Sequence, residues 1–461
     1  MPHAHLLGIG GTGMSALAGL LVEAGWRVTG SDQAIYPPVD ALLANLKVEV
    51  TQGYAVESLP ISADLYVIGN VISRGNPQAE FILNQDLPFL SMAEALYRHA
   101  IAGHESCVIA GSHGKTTITS MVAHILTKTG RDPGFFVGGK PANFPANHRL
   151  GRGRIFVSEG DEYETAFFDR ASKFLHYHPR YLVLTSLEYD HLDIFPSEEL
   201  YLKAFKNLVN QVPGEGLIVA HHDFPMGRQA VAGAFTPVVF YGEKGGDVRV
   251  SEIAQSPAGV AFTLRGDHWD HRLTLAVEGR YNALNAAAAA ILTARMGVPE
   301  EAVVKALASF AGVERRLQSI ARLGNIEFLE DFAHHPTAIA NVLASLREEH
   351  PGSRLVAVFE PRSWSLRRNF FQTPLACSLS LADEIVLGDV YEKDRIPASE
   401  RLDLDRLGAE LTAVGRKVVR GQTLDELWTT LTERDRTTPT EVVILSNGNF
   451  GGLPARLRSL A

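Results

Sequence analysis

V-I-A-G-S-H-G-K-T-T-I-T, residues 108–119, decides the fold. Val108, Ile109 and Ala110 read as the end of a buried strand. Gly111, Ser112, His113 and Gly114 make a tight loop, and Lys115, Thr116 and Thr117 open a helix that continues through Met121, Val122, Ile125 and Leu126. Strand, glycine loop and helix N-terminus in that order form an anion site, because backbone N–H groups converge there and the helix dipole adds roughly half a positive charge. In such a loop the lysine reaches the β/γ-phosphates of a nucleotide and the following hydroxyl ligates Mg²⁺. The full phosphate-loop pattern has a glycine where this chain has Ile109, so the motif is a shortened form. The competing reading is a strand-to-helix turn with an incidental lysine. The strand–loop–helix context favours phosphate, and with it an ATP or GTP user.

On the N-terminal side, Gly8-Ile9-Gly10-Gly11-Thr12-Gly13 follow a first strand at residues 5–9 and open a helix over residues 14–24. A second strand, residues 27–30, ends at Ser31-Asp32. Glycines, helix and an acidic residue about 20 positions on make a dinucleotide-binding outline. Alone it suggests a nicotinamide or flavin oxidoreductase; more generally, the loop holds some diphosphate and Asp32 a neighbouring hydroxyl or base edge. An oxidoreductase leaves the second loop and the acidic clusters beyond it unexplained.

Those clusters are Ser158-Glu159-Gly160-Asp161-Glu162 and Glu188-Tyr189-Asp190-His191-Leu192-Asp193, each just after a strand (residues 155–159 and 181–186). Carboxylates at the carboxyl ends of strands share a sheet edge with the phosphate loop. There they can hold Mg²⁺ beside phosphates, although solvated acidic turns would look the same. Histidine is a less usual Mg²⁺ ligand than a carboxylate. Short alternating runs between Gly242 and Thr274 suggest antiparallel strands, followed by an alanine-rich helix over residues 283–294. Boundaries are expected near Ala102-Gly103-His104 and Gly312-Val313-Glu314. Past the second lie Arg315-Arg316, Glu330-Asp331 and His334-His335, then four apolar strand candidates alternating with helices. The paired histidines suit either a transition metal or an exposed loop.

The expected architecture is therefore α/β with three domains: an N-terminal Rossmann-like unit (1–103), a central phosphate-loop ATPase sheet with a small antiparallel sheet (104–313), and a C-terminal Rossmann-like unit (314–461). A chain of 461 residues is long enough for three cores. Its net charge of −9 argues against nucleic acid and anionic membrane surfaces as partners. Cys107 and Cys377 stand far apart and suit reduced thiols of a cytoplasmic protein. No apolar run approaches ~18 residues, so neither a targeting segment nor membrane insertion is expected.

In that order and spacing, G-S-H-G-K-T-T, E-x-D-E, D-H-L-D, G-R-Y-N-A-L-N-A, G-V-E-R-R and D-F-A-H-H-P-T resemble the Mur ligases over essentially the whole chain. The opening G-I-G-G-T-G-M-S with Ser31-Asp32 looks like the branch that takes UDP-N-acetylmuramate. The resemblance implies an ATP- and Mg²⁺-dependent amide ligase of peptidoglycan synthesis or recycling, working through an acyl phosphate. Two incoming amines compete within that branch: L-alanine, and the tripeptide L-Ala-γ-D-Glu-meso-diaminopimelate. D-E-Y-E-T-A-F-F-D-R-A-S-K-F (161–174), G-G-K-P-A-N-F (138–144) and S-N-G-N-F-G-G-L (446–453) look like the tripeptide-adding type.

Carried over by position, Gly10, Gly11, Thr12 and Gly13 cradle the UDP diphosphate, Asp32 meets uracil, and Ser73 and Asn76 lie near the sugar. Gly111, Ser112, His113, Gly114, Lys115, Thr116 and Thr117 hold ATP. Thr116, Glu159 and His191 ligate Mg²⁺, Asn282 and Asn285 approach adenine, Arg316 meets phosphate and Asp331 ribose. Lys115, His191 and His334 are the catalytic candidates, and Arg362 is the candidate for the peptide. Ser112, Ser186 and Tyr281 depart from the family's usual Thr, Asn and His.

Overall fold

The computed structural model describes residues 1–461 except 37, 38, 192, 193, 257 and 461. Leu192 and Asp193 of the second acidic cluster thus lie outside the described residues.

Three large α/β sheets carry the chain, with a small antiparallel pair, Glu164–Ala166 and Asp169–Ser172, beside the central one. The N-terminal sheet has five parallel strands, with His3–Leu7 between Arg27–Asp32 and Leu65–Ile68, and Glu49–Gln52 and Phe89–Ser91 at the edges. Helix Thr12–Glu23 buries Met14, Leu17, Leu20 and Leu21 among small residues, and a side chain at Gly19 would overlap the His148 ring of the next domain. That glycine lets the two domains sit close.

The central sheet has ten strands. Strand Glu105–Ala110, at its heart, pairs in parallel with Ile155–Gly160 on one side and Tyr181–Leu184 on the other. Both acidic clusters therefore leave the same sheet edge as the phosphate loop. The antiparallel strands expected after Gly242 are present as one end of this same sheet. Val248–Ser256, Gly259–Gly266 and Trp269–Leu275 join it where Tyr241 pairs with Val248 in parallel. Continuous backbone pairing there leaves no free strand edge between them and the rest. Helix Lys115–Lys128 packs against helix Tyr281–Arg295, where Ala286–Ala290 are fully buried. A face of methyl groups allows that close approach.

The third sheet has six strands, with Ile326–Asp331, Thr440–Leu445 and Arg354–Phe359 side by side at its centre. Gln318–Leu323 pairs antiparallel with Ile326–Asp331. That hairpin is absent from the sequence expectation because its residues alternate over only six positions around Gly324-Asn325. Among the described residues, no helix is long and apolar enough to cross a membrane.

Candidate active site

Two of the phosphate loop's glycines are required by sterics. Gly111 has φ +127° and Gly114 φ +84°; a side chain at the first would overlap the Thr185 hydroxyl, and at the second the Asn285 amide. Both lie in the backbone region that favours glycine. The loop thereby brings the N-terminus of helix Lys115–Lys128 against strand Tyr181–Leu184 and helix Tyr281–Arg295.

Lys115 is tied into a buried network. Its ammonium donates to the Gly111 carbonyl at 2.6 Å and to Glu162 at 3.0 Å, and the other Glu162 oxygen meets His191 Nε2 at 2.8 Å. His191 Nδ1 lies 3.0 Å from the Tyr163 hydroxyl. Burial opposes charge on Lys115, but Glu162 and its acidic neighbours raise its pKa above the usual value. Glu162, 1% exposed, is likewise opposed by burial yet held well below the carboxylate range by Lys115 and His191. His191 is raised despite its burial, because Glu162 binds its charged form.

A second subsite lies alongside. The Thr116 hydroxyl donates to Glu159 at 3.0 Å, and the other Glu159 oxygen accepts the Gly138 N–H at 2.5 Å. Burial and the nearby Asp161 push Glu159 up to about 7. Two oxygen ligands side by side, one on a buried carboxylate, fit Mg²⁺. The expected trio is not assembled: His191 engages Glu162 and Tyr163 instead of Thr116 and Glu159. With Nε2 on Glu162 and Nδ1 on Tyr163, both of its ring nitrogens are engaged in this arrangement.

The third domain closes on the loop through Glu188, which meets His113 Nε2 at 2.9 Å and accepts the Thr337 hydroxyl at 3.1 Å. The His335 ring lies 4.9 Å from that of His113. Asp190 accepts the Ser365 hydroxyl at 2.7 Å. His334 Nδ1 donates to the Phe332 carbonyl at 3.0 Å, and burial lowers its pKa to about 4. The imidazole is neutral and its Nε2 is an acceptor.

Three clefts result. One, of about 470 Å³, is walled by all three domains: Thr12 and Ser15, then Thr116 and Gly138, then Arg316 and Asn447. A second, smaller, is lined by Gly114, Thr117, Asn285, Arg316, Asp331 and Tyr281, and suits a base and ribose. The third, in the N-terminal domain, brings Gly10, Gly11, Asp32, Ser73 and Asn76 together as the glycine loop predicts. Asp32 accepts the Gly10 N–H at 2.7 Å, and Asn76 caps helix Pro77–Asn84 through Gln78 and Ala79.

Several expectations need correction. Thr12, the first residue of its helix, faces the three-domain cleft and not the N-terminal groove. A side chain at Gly13 would face Met92 and Phe136, away from that groove. Asn282 is buried, donates to the Glu278 carbonyl at 2.5 Å and accepts from Asn285, so only Asn285 reaches the base pocket. The Asp331 carboxylate accepts the N–H groups of Leu317 and Ala333, which bend the loop around it. Ser112 donates to the Glu188 carbonyl and accepts its N–H, fixing the second acidic run to the loop. The sequence assigns Glu162 and Glu188 no individual role; the signals for them are their acidic runs and, for Glu162, the E-x-D-E motif.

Residues 3–104 match a family described as "Mur ligase family, catalytic domain", residues 109–293 the "Mur ligase middle domain", and residues 315–446 the "Mur ligase, glutamate ligase domain". The chain belongs to the Mur ligase family. Among its relatives this Mur ligase is 35% identical over 465 residues to the UDP-N-acetylmuramate–L-alanyl-γ-D-glutamyl-meso-2,6-diaminoheptandioate ligase of Escherichia coli K12, covering 98% of this chain and 97% of that protein. A murein peptide ligase from Psychrobacter arcticus 273-4 superposes with a TM-score of 0.76 at 31% identity, over 100% of this chain and 98% of the other. The UDP-N-acetylmuramate–alanine ligase of Thermotoga maritima superposes with a TM-score of 0.82 at 25% identity, over 100% and 99%. Sequence thus leans to the tripeptide-adding relatives while overall shape is shared with the alanine-adding one. Shape here includes how three domains are disposed, which changes without any change of substrate.

Proposed function

We propose that this Mur ligase uses ATP to join the lactyl carboxylate of UDP-N-acetylmuramate to the α-amine of L-Ala-γ-D-Glu-meso-diaminopimelate, in peptidoglycan recycling. The supporting observation is the cleft that all three domains wall together. Thr12 and Ser15 of the N-terminal domain, Thr116 of the phosphate-loop helix and Arg316 of the third domain surround this one space. A reaction with three substrates needs such a meeting point. Both nucleotides being cytoplasmic metabolites, the enzyme works in the cytoplasm.

The carboxylate attacks the γ-phosphate in line, giving an acyl phosphate and ADP; the amine then attacks the acyl carbon and phosphate leaves. Lys115 and the loop N–H groups stabilise charge on the transferring phosphoryl group. Thr116 and Glu159 hold Mg²⁺, which when bound offsets phosphate charge. Glu162 favours the charged forms of Lys115 and His191 and aims both. Neutral His334, with Nδ1 committed to the Phe332 carbonyl, accepts the amine proton at Nε2. The Glu188–Thr337 and Asp190–Ser365 contacts hold the third domain over the loop and keep water from the acyl phosphate. Arg362, stacked 3.8 Å over the Tyr391 ring beside Asn449, receives the distal carboxylate of the peptide.

The closeness to the Thermotoga alanine ligase favours a second reading in which free L-alanine is the amine. ADP release with UDP-N-acetylmuramate plus tripeptide, compared with the same sugar plus L-alanine, decides between them. Faster turnover with L-alanine overturns the proposal.

A further inference from the structure

Away from these clefts, Glu278–Tyr281 of the central domain meet the end of helix Pro336–Glu349 in the C-terminal domain. Ligand atoms of Glu278, Glu349 and His350 all lie within 4.8 Å of one another. Glu441, on strand Thr440–Leu445, comes within 3.5 Å of His350 Nδ1. Glu349 is 9% exposed, and neither of its carboxylate oxygens has a hydrogen-bond partner among the described residues. Glu441 is 7% exposed; one oxygen accepts the Ser353 hydroxyl at 3.2 Å and the other has no partner.

The neighbouring cations are committed elsewhere. Arg280 pairs with Glu243 at 2.6 Å, Arg322 with Glu327 at 2.7 Å, and Arg347 with Asp383 at 2.7 Å. Among the described residues, no lysine or arginine forms an ion pair with Glu278 or Glu349. A buried carboxylate with neither donor nor counter-charge is costly, and three glutamates facing one imidazole multiply that cost. A cation at their centre relieves it.

We propose that Glu278, Glu349 and His350, backed by Glu441, bind one divalent transition-metal ion that ties the central domain to the C-terminal domain. Ligands around one ion at ~2.0–2.2 Å lie at most ~4.4 Å apart, so a small contraction of the cluster completes the site. An imidazole among carboxylates selects Zn²⁺ or Mn²⁺ over Mg²⁺, which takes oxygen ligands and keeps its water. The site is separate from the Thr116–Glu159 pair. Residues 278–281 lead directly into the helix bearing Asn285, so the ion fixes the angle at which the third domain meets the base pocket.

The test uses the full-length enzyme, dialysed against chelator and free of nucleotide, titrated with Zn²⁺ by calorimetry and followed by thermal melting. The wild type binds Zn²⁺ and its Tm rises. Glu349→Gln and Glu278→Gln each weaken that binding at least tenfold and abolish the rise. Without metal, Glu349→Gln melts at or above the wild-type temperature, which shows that it folds. The His113–Glu188–His335 group also has metal-ligand spacing, so His335→Gln is measured in parallel and keeps the tight site. The proposal is overturned if the wild type binds no Zn²⁺, which marks a shared proton in place of the ion, if affinity is unchanged in both glutamate variants, or if it is lost in His335→Gln instead. Because no substrate is present, failure here leaves the ligase reading untouched.

Discussion

Gly8–Gly13 and Gly111–Gly114 are the same backbone device used twice. Each follows a buried parallel strand, turns on glycines and opens a helix. Their side chains differ. At the first loop a carboxylate, Asp32, binds the Gly10 N–H, and a side chain on Gly10 would meet that carboxylate at 2.8 Å. At the second, an ammonium is held by the Gly111 carbonyl and the buried Glu162 carboxylate. On the proposed function, the first loop binds a nucleotide that does not react at its phosphates and the second stabilises charge that moves. Backbone geometry alone does not separate binding from catalysis here.

The strongest way to break that contrast is Lys115→Ala. Loss of the charge-assisted contact to the transferring group should lower kcat by roughly 10³-fold or more, as for other phosphoryl-transfer sites. Glu162 keeps His191 as a partner, so circular dichroism should show a folded protein. Turnover near wild type in a folded variant refutes the assignment.

Glu162→Gln sharpens the contrast, because the first loop has no equivalent residue. It should cost about 10²-fold in kcat with little change in UDP-sugar affinity, in line with ~1.5–3 kcal/mol for hydrogen bonds to charged groups. The His191 pKa should fall towards its usual value, which NMR titration reads directly. An unchanged His191 titration means that Glu162 does not set its charge.

Asp32→Ala tests the other side. It should weaken UDP-N-acetylmuramate binding by roughly tenfold or more, about 1.4 kcal/mol, while ATP affinity stays within about twofold. Equal loss for both nucleotides means that the loops do not divide the work.

The sequence made both loops, the parallel sheets and the family legible because glycine positions and apolar runs report backbone constraints directly. Site geometry was less so. Thr12 and Gly13 belong to the first loop's motif, yet a helix turns successive residues by about 100° and aims them elsewhere. Asn282 stands in a family motif but spends its amide on a local carbonyl and on Asn285. Asn76 is followed by Pro77, a helix-start signal, and its capping role was available from that dipeptide alone. His191 stands in a motif that implies a metal ligand, and its contacts to Glu162 and Tyr163 exist only in three dimensions.

The two regions also carry histidines shifted in opposite directions. His5, on the strand before the first loop, is lowered to about 4 by burial, whereas His191 is raised. A lowered histidine contributes stability above pH 6.5 that is lost as pH falls towards 4; a raised one contributes below 6.5 and loses it as pH rises through its folded value. Thermal melts should therefore show His5→Gln flattening the acid limb, by at most about 1.4 kcal/mol per pH unit, and leaving the alkaline side unchanged. Equal effects on both limbs contradict the burial account of His5.

The smallest expected effect concerns the amine. The lactyl carboxylate and the attacking L-alanyl amine are common to both candidate reactions, so neither loop can select between them. The distal diaminopimelate lies some 10 Å or more from the new bond at ~3.5 Å per extended residue, and its carboxylate calls for a guanidinium. Of the three arginines in E-P-R-S-W-S-L-R-R, Arg367 pairs with Glu392 and Arg368 with Glu400, the latter stacked over Trp364. Arg362 lies 3.5 Å from both Glu360 and Asn449, long contacts that a substrate carboxylate can replace. Arg362→Ala should raise KM for the tripeptide about fivefold, about 1 kcal/mol, and leave KM for UDP-N-acetylmuramate and ATP unchanged. A peptide with an uncharged residue in place of diaminopimelate should show the same loss with the wild type and no further loss with the variant, since both remove one interaction. If the two losses add, Arg362 acts elsewhere, and the Ser446–Gly452 turn, rich in backbone N–H groups, becomes the carboxylate's partner.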